Sequence, residues 1–387
     1  MMTLDVTVVN VALSDIARDM DTGLDRVQWT VSAYSLAFGA LLLTAGALSD
    51  RLGRRTVFVT GMALFTLASA ACGLAPDAAA LIAARAAQGV GGALVFAPTL
   101  ALIAAAYEGA RRRAAIAAFA AVASAAGALG PVVGGLCVQW LGWRWIFLVN
   151  VPVGVLVVAG ALARMPRASA PGGDHRRLDP LGAALGVGAL LALHCPLVFG
   201  PEAGWTAPEV LLPAAVGVVL SVALVLSQRR GDGLVDLTLL RVRAFTGAAV
   251  LGFLARLSGL GTLAFVTLWL RGAEDHSALE TGLALLPLTG SLLVTGLFVA
   301  RLQRAYSAEA LVAAGFAAQG FGLLALALAA GTDGGRAVTV TGLVLLGAGG
   351  AVIFPPLMGV AVGAVPADRA GMASGLTNAC YPLGTAT

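Results

Sequence analysis

The sequence predicts an all-α integral membrane protein, and three observations carry that reading. Hydrophobic residues fill 59% of the 387 positions and charged residues only 11%. An ordinary globular domain carries about 25% charged residues, so this chain has too few to cover a surface in water. The mean hydropathy is +0.92. The apolar residues fall in blocks of about 20, the length a helix needs to cross about 30 Å of hydrocarbon. Lipid offers backbone polar groups no partners, so only helices and closed barrels span it. A barrel would show alternating segments of about ten residues instead.

Thirteen such blocks follow one another, at about 1–17, 27–48, 56–75, 79–106, 114–138, 145–163, 181–200, 209–227, 244–270, 279–300, 308–330, 337–365 and 370–387. The first and last are cut short, so the chain is expected to be truncated within span 13. The apolar start lacks a basic leader and a small-residue cleavage site, and no cleavable signal peptide is expected. Cys72, Cys137, Cys195 and Cys380 stand singly in or near apolar stretches, as small buried residues do. His175, His194 and His276 are scattered, so no metal site is expected.

Orientation is read from arginine, because the chain has no lysine. Seventeen arginines, among them Arg51, Arg111, Arg164, Arg229 and Arg301, lie in one set of alternate connections. Five lie in the other: Arg18, Arg26, Arg144, Arg271 and Arg336. Arg85 and Arg256 fall inside spans. The positive-inside rule places the first set, the N-terminus and the linker in the cytoplasm, as in a multi-pass protein of the cytoplasmic (plasma) membrane. The sequence pI of 9.2 does not indicate a nucleic-acid partner, since the basic residues form no patch.

The longest polar stretch, 164–180, is rich in Pro, Gly and charge and reads as a cytoplasmic linker. It closes an N-terminal six-helix bundle at 1–163. A repeat defines the rest. Gly89-Val-Gly-Gly-Ala-Leu-Val-Phe-Ala-Pro98 in span 4 matches Gly347-Ala-Gly-Gly-Ala-Val-Ile-Phe-Pro-Pro356 in span 12, at an offset of 258. The shift is eight helices, where two six-helix halves alone would give six. Two helices are therefore inserted, spans 7 and 8 at 181–228, ahead of an incomplete C-terminal bundle at 229–387. The expected architecture is 6+2+6.

Four stretches carry mechanism. In span 1, Asp5, Thr7 and Asn10 are polar groups in an apolar segment, which makes Asp5 the default ion or substrate site. The connection after span 2 reads Gly46-Ala-Leu-Ser-Asp50-Arg51-Leu-Gly53-Arg54-Arg55; an acid among arginines can hold one closed conformation and release it in another. Span 4 holds Arg85-Ala-Ala-Gln88-Gly89, and an arginine inside a span should face a polar interior. Span 5 holds Gly127-Ala-Leu-Gly130-Pro131-Val-Val-Gly134-Gly135, small residues and a Gly-Pro pair that let a helix bend or slide against a neighbour.

The last three stretches resemble motifs A, B and C of the major facilitator superfamily. Span 1, together with Trp143-Arg144-Trp145 through Asn150-Val-Pro152, resembles the fourteen-span drug:proton antiporters of the EmrB/QacA type. Ser14 stands where that family usually has proline, and Ala126 where motif C expects glycine. The resemblance implies a major facilitator fold, proton coupling through Arg85, and the direction of an antiporter. It implies no cofactor, with the proton gradient as energy source.

The expected function is proton-coupled export of amphipathic drugs or antibiotics by alternating access. Asp5, Asn10, Arg85 and Gln88 would serve proton coupling and the substrate cavity. Gly46, Asp50, Arg51, Gly53, Arg54 and Arg55 would form a cytoplasmic gate. The expected partners are protons, lipid and a hydrophobic or cationic small molecule, with a monomer as the unit. Two other readings stand beside it: a dedicated exporter of one metabolite, and a truncated, non-transporting fragment. No constellation of His, Asp and Ser lies at membrane depth, so an enzyme is not expected.

Overall fold

The computed structural model describes residues 1–165, 179–228, 239, 241–272, 274–331 and 336–365. Most of the linker expected at 164–180, and the whole thirteenth span, fall outside the described residues. Those described are helical nearly throughout, with no strand among them.

The first five expected spans are single helices: α1 (Met2–Asp19), α2 (Leu24–Leu52), α3 (Arg54–Gly73), α4 (Ala78–Ala106) and α5 (Gly109–Leu141). The sixth is broken at Val149 into α6 (Trp145–Leu148) and α7 (Asn150–Arg164). Pro152 has no N–H to bond the carbonyl of Leu148, and its ring crowds that carbonyl. After α8 (Pro180–Ala203) and α9 (Pro208–Gln228), the ninth span runs as α10 (Arg243–Arg256), a π-helical turn over Leu257–Gly261, and α11 (Thr262–Gly272). The tenth is interrupted at Leu285 between α12 (Ala278–Ala284) and α13 (Leu286–Ala305); Pro287 is placed to break it as Pro152 does. Then come α14 (Ala308–Gly331) and α15 (Arg336–Gly363).

Eight helices among the described residues are long and apolar enough to cross a membrane. α1 falls short because it carries Asp5, Asp15, Arg18 and Asp19, and the π turn divides the ninth span. The polarity of the first two spans is turned inward: Asp5, Thr7 and Asn10 on α1, and Thr30, Ser32 and Ser35 on α2, are all buried.

The first half packs around Val9, Leu13, Ile16, Val27, Leu81 and Phe147. The second has two cores, one around Leu263, Leu285, Leu343 and Leu346, the other around Phe245, Ile353 and Leu357. α8 and α9 pair with each other, and α8 lies on α2, where buried His194 meets the ring of Trp29 edge-on at 5.0 Å. The halves meet through α1 on α11 and α12, and through α5 on α12 and α13. Between helices in lipid the hydrophobic effect adds little, so close packing and polar contacts hold such joints.

Candidate functional site

The centre of the first half is a closed polar network. Arg85, seven residues into α4, donates from Nη1 to Asp5 Oδ2 at 2.5 Å and to Gln88 Oε1 at 2.6 Å. From Nε it donates to the carbonyl of Thr30 at 2.8 Å. Gln88 turns its amide nitrogen to Asp5 Oδ1 at 3.0 Å and to Ser69 Oγ at 2.7 Å. Asn150, the first residue of α7, donates to the same Asp5 oxygen at 3.0 Å. The carboxylate thus accepts from three side chains on two helices.

The network is sealed. Asp5 is 1% exposed, Arg85 and Gln88 0%, and Asn150 3%. The guanidinium carbon lies 4.5 Å from the centre of the Tyr34 ring and 5.5 Å from that of Phe147, so aromatic faces cover the cation where protein oxygens do not. Taking two ions out of water costs several kcal/mol each, and only good geometry with satisfied lone pairs offsets it. Here Gln88, Asn150 and Ser69 supply that geometry.

The site expected from sequence is therefore assembled in part. Asp5, Arg85 and Gln88 come together. Asn10 does not join them: its Nδ2 donates within α1 to the carbonyl of Val6 at 3.2 Å. Asp5, expected at the substrate cavity, is shut inside the bundle in this structure. Asn150, Ser69, Thr30 and Tyr34 are the additions. Asn150 and Ser69 were visible as polar residues in apolar spans; the Thr30 carbonyl is backbone and left no trace in the sequence. Arg256, the other arginine inside a span, lies over the ring of Phe354 at 4.3 Å.

The glycines of α5 form a second feature. A Cβ at Gly130 would overlap the hydroxyl of Thr7, and one at Gly134 would stand 3.0 Å from the carbonyl of Val8, both on α1. Gly135 faces the other way, its Cβ position 2.5 Å from the carbonyl of Ala278 on α12. Gly282 on α12 is pressed in turn against the carbonyl of Pro131. One helix thus seats α1 of its own half and α12 of the other. Gly127 lies one turn earlier on α5.

Close by, Arg271 at the end of α11 donates to both carboxylate oxygens of Asp15 on α1 and to the carbonyl of Val11 at 2.9 Å. These cross-half contacts lie toward the ends that carry the few arginines. At the arginine-rich end, Gly53 makes the one-residue turn between α2 and α3 with φ of +91°, a conformation that disfavours any side chain. Arg55 donates to the carbonyl of Leu162 at 2.7 Å, tying α3 to the end of α7. Arg51 is exposed, and Arg54 is half-buried. Gly46 has open space around its Cβ position. The side chain of Asp50 lies outside the described residues.

Comparison with known proteins fits this architecture. The chain is 37% identical over 389 residues to Multidrug resistance protein Stp of Mycobacterium tuberculosis (strain CDC 1551 / Oshkosh), covering 100% of this chain and 71% of that one. It is 35% identical to the Methylenomycin A resistance protein of Streptomyces coelicolor, covering 100% and 81%. It is 33% identical to the Tetracenomycin C resistance and export protein of Streptomyces glaucescens, covering 99% and 71%. Two crystal structures of peptide transporters, one an auto-inhibited member of the POT family, share the fold. Their TM-scores are 0.66 and 0.68 at 15% and 16% identity, over 99% of this chain and 85% and 84% of theirs. With the description "Major Facilitator Superfamily" matched across residues 1–387, the chain belongs to that family of membrane transporters.

Proposed function

We propose that this chain exports amphipathic drugs or antibiotics across the cytoplasmic membrane in exchange for protons, by alternating access, as a transporter of the fourteen-span EmrB/QacA type. The observation that carries the reading is the buried Asp5–Arg85–Gln88 network. Asp5 is the proton site, and Arg85 is the partner it gives up when a proton arrives. Protonation breaks the pair, frees the guanidinium and alters how α1 sits against α4. The names of the relatives, which include a multidrug resistance protein and a resistance and export protein, support drug export. Two of them are named for a single compound, which also favours a narrow substrate range as the second reading.

The excess of arginine at one end supports a cytoplasmic position for that end, with the joined ends of the halves facing out. Substrate then enters from the cytoplasm. Thr30 and Arg85 are six and seven residues into their helices from the outer end, or about 10 Å at 1.5 Å per residue. That is about a third of the way across the hydrocarbon, a short route for a proton from outside.

The test uses inverted vesicles carrying the chain, energised with a proton gradient and followed with a pH-sensitive dye. A panel of antibiotics of mixed charge is added one at a time. Proton release on adding a compound, lost in Asp5→Asn, is expected. A response that survives Asp5→Asn would remove Asp5 from the coupling, and no response from any compound would remove proton-driven export.

A further inference from the structure

The two parts of span 9 lie in different apolar cores. In α10, Phe245, Ala248 and Ala255 pack with Ile353 and Leu357 of α15, and Arg256 at its end lies over the ring of Phe354. In α11, Leu263, Val266 and Leu270 pack instead with Leu285, Leu288 and Leu346. The π turn of Leu257–Gly261 stands where one core gives way to the other. α14 and α15 change cores at the same level: Phe316 and Ile353 belong to the first, Leu323 and Leu346 to the second.

A polar bracket fills this seam. Gln319 of α14 is buried, at 2% exposed. Its Nε2 donates to the carbonyl of Ala255 at 3.4 Å, and its Oε1 accepts from the hydroxyl of Ser258 at 2.8 Å. Both ends of one amide thus hold the last turn of α10 and the start of the π turn. Glycines seat it on two sides: a Cβ at Gly259 would stand 3.0 Å from its Nε2, and one at Gly349 on α15 2.9 Å from its Cγ. A π turn departs from the regular ladder of helix hydrogen bonds, and such places are where helices bend. Apolar contacts on either side are non-directional and let a helix pivot, whereas hydrogen bonds fix an angle. The angle between α10 and α11 is therefore set at Gln319.

That angle matters far from the turn. Arg271 stands 13 residues beyond Ser258, or about 20 Å along a helix at 1.5 Å per residue. A change of about 10° at the turn would carry it about 3 Å. That is more than its hydrogen bonds to Asp15 and to the carbonyl of Val11 tolerate.

We infer that Gln319 is a positioning residue for the closed joint between the halves: through the π turn it aims α11 so that Arg271 meets α1. The inference rests on the alternating-access reading above, in which this joint must part. The test reads how fast a water-soluble maleimide labels Ala12→Cys, on the purified chain in detergent with the four native cysteines changed to serine. Ala12 is fully buried on α1, next to Val11, and the chain unfolded in SDS sets the ceiling rate. Gln319→Met, which keeps the length and loses both bonds, should speed labelling about three- to tenfold, the worth of one or two buried hydrogen bonds. Ser258→Ala, which removes one hydroxyl, should speed it about twofold. Adding Gln319→Met to Arg271→Leu should leave the rate within twofold of Arg271→Leu alone, because both act on one contact. Independent sites this far apart would multiply instead.

A wild-type rate in Gln319→Met, or a double variant at the product of the two single effects, would overturn the inference. If Gln319→Met does not fold, Ser258→Ala with and without Arg271→Leu makes the same comparison and decides in the same way. A wild-type rate in Arg271→Leu would also overturn it, since Gln319 would have no contact to act through. Proton release in the vesicle assay above would leave export standing in each of these cases, and its absence would remove export without changing the labelling result.

Discussion

Arg271, at the end of α11, reaches across the boundary between the halves to both carboxylate oxygens of Asp15 on α1. The side chains are only 10% and 21% exposed, so water screens the pair less than it would on an open surface. Alternating access requires the contact to break before this end can open. Replacing Arg271 with leucine should therefore favour the open arrangement by about 1–2 kcal/mol, or about 5- to 30-fold in the equilibrium. Ala12, fully buried on α1, reports it when changed to cysteine: labelling by an impermeant maleimide should speed up by that factor. A charge exchange, Asp15→Arg with Arg271→Asp, should bring the rate back. An unchanged rate in Arg271→Leu would mean that the glycine contacts alone hold this end.

Removing one partner of the buried pair leaves the other as an uncompensated ion. Asp5→Asn should lower stability by about 3–5 kcal/mol, read as an earlier thermal melt in detergent. Adding Arg85→Gln should restore most of the loss without restoring transport, because residues in one network are not additive. A double variant no more stable than the single would show that packing, and not charge, is what Asp5→Asn disturbs.

The glycines of α5 give a steric prediction. Gly135→Ala sets a methyl group 2.5 Å from the carbonyl of Ala278, so α12 must move away and transport should be lost. Gly160→Ala on α7 meets nothing within 4 Å. It should leave transport intact and raise stability by about 0.5–1 kcal/mol through helix propensity. Transport assays and thermal melts on the two variants separate the effects.

The C-terminal end of α1 offers a pH test. Asp19 accepts from Arg144 at 2.6 Å and from the indole of Trp143 at 3.1 Å. The Arg144 hydrogen bond, then the Trp143 one, hold its carboxyl below the usual aspartate value. A lowered carboxyl stabilises the fold above its unfolded value of about 3.9, and that contribution fades as pH falls through the lower folded value. The side chains are 41% and 46% exposed, which limits the effect to about 1 kcal/mol or less. The melting difference between wild type and Asp19→Asn should be constant from pH 8 to about pH 5 and shrink below about pH 4. A difference that persists unchanged in strong acid would assign it to shape, not charge.

Much of the architecture was legible because lipid permits so few backbone arrangements. The twelve spans that fall on described residues coincide with helices or helix pairs. Asp5, Arg85 and Gln88 stood out for the same reason, being polar where hydrocarbon tolerates little. Asn10 stood out equally but does not join them, because a helical side chain of this kind can satisfy itself on its own backbone four residues back. The breaks at Val149 and Leu285 could have been anticipated from Pro152 and Pro287. The π turn had only Gly259 and Gly261 to hint at it. The contacts of Gly135 with Ala278 and of Arg271 with Asp15 join residues 143 and 256 positions apart, and no local pattern records such pairs.

The face of α5 that carries Gly135 has a pharmacological consequence. Less than the width of a methyl group separates it from α12, so a wedge-shaped blocker finds no room there while the halves are together. It could lodge only in the interval when they part. Such a compound would inhibit a working pump more than an idle one, and its potency would rise with the turnover of the protein it stops.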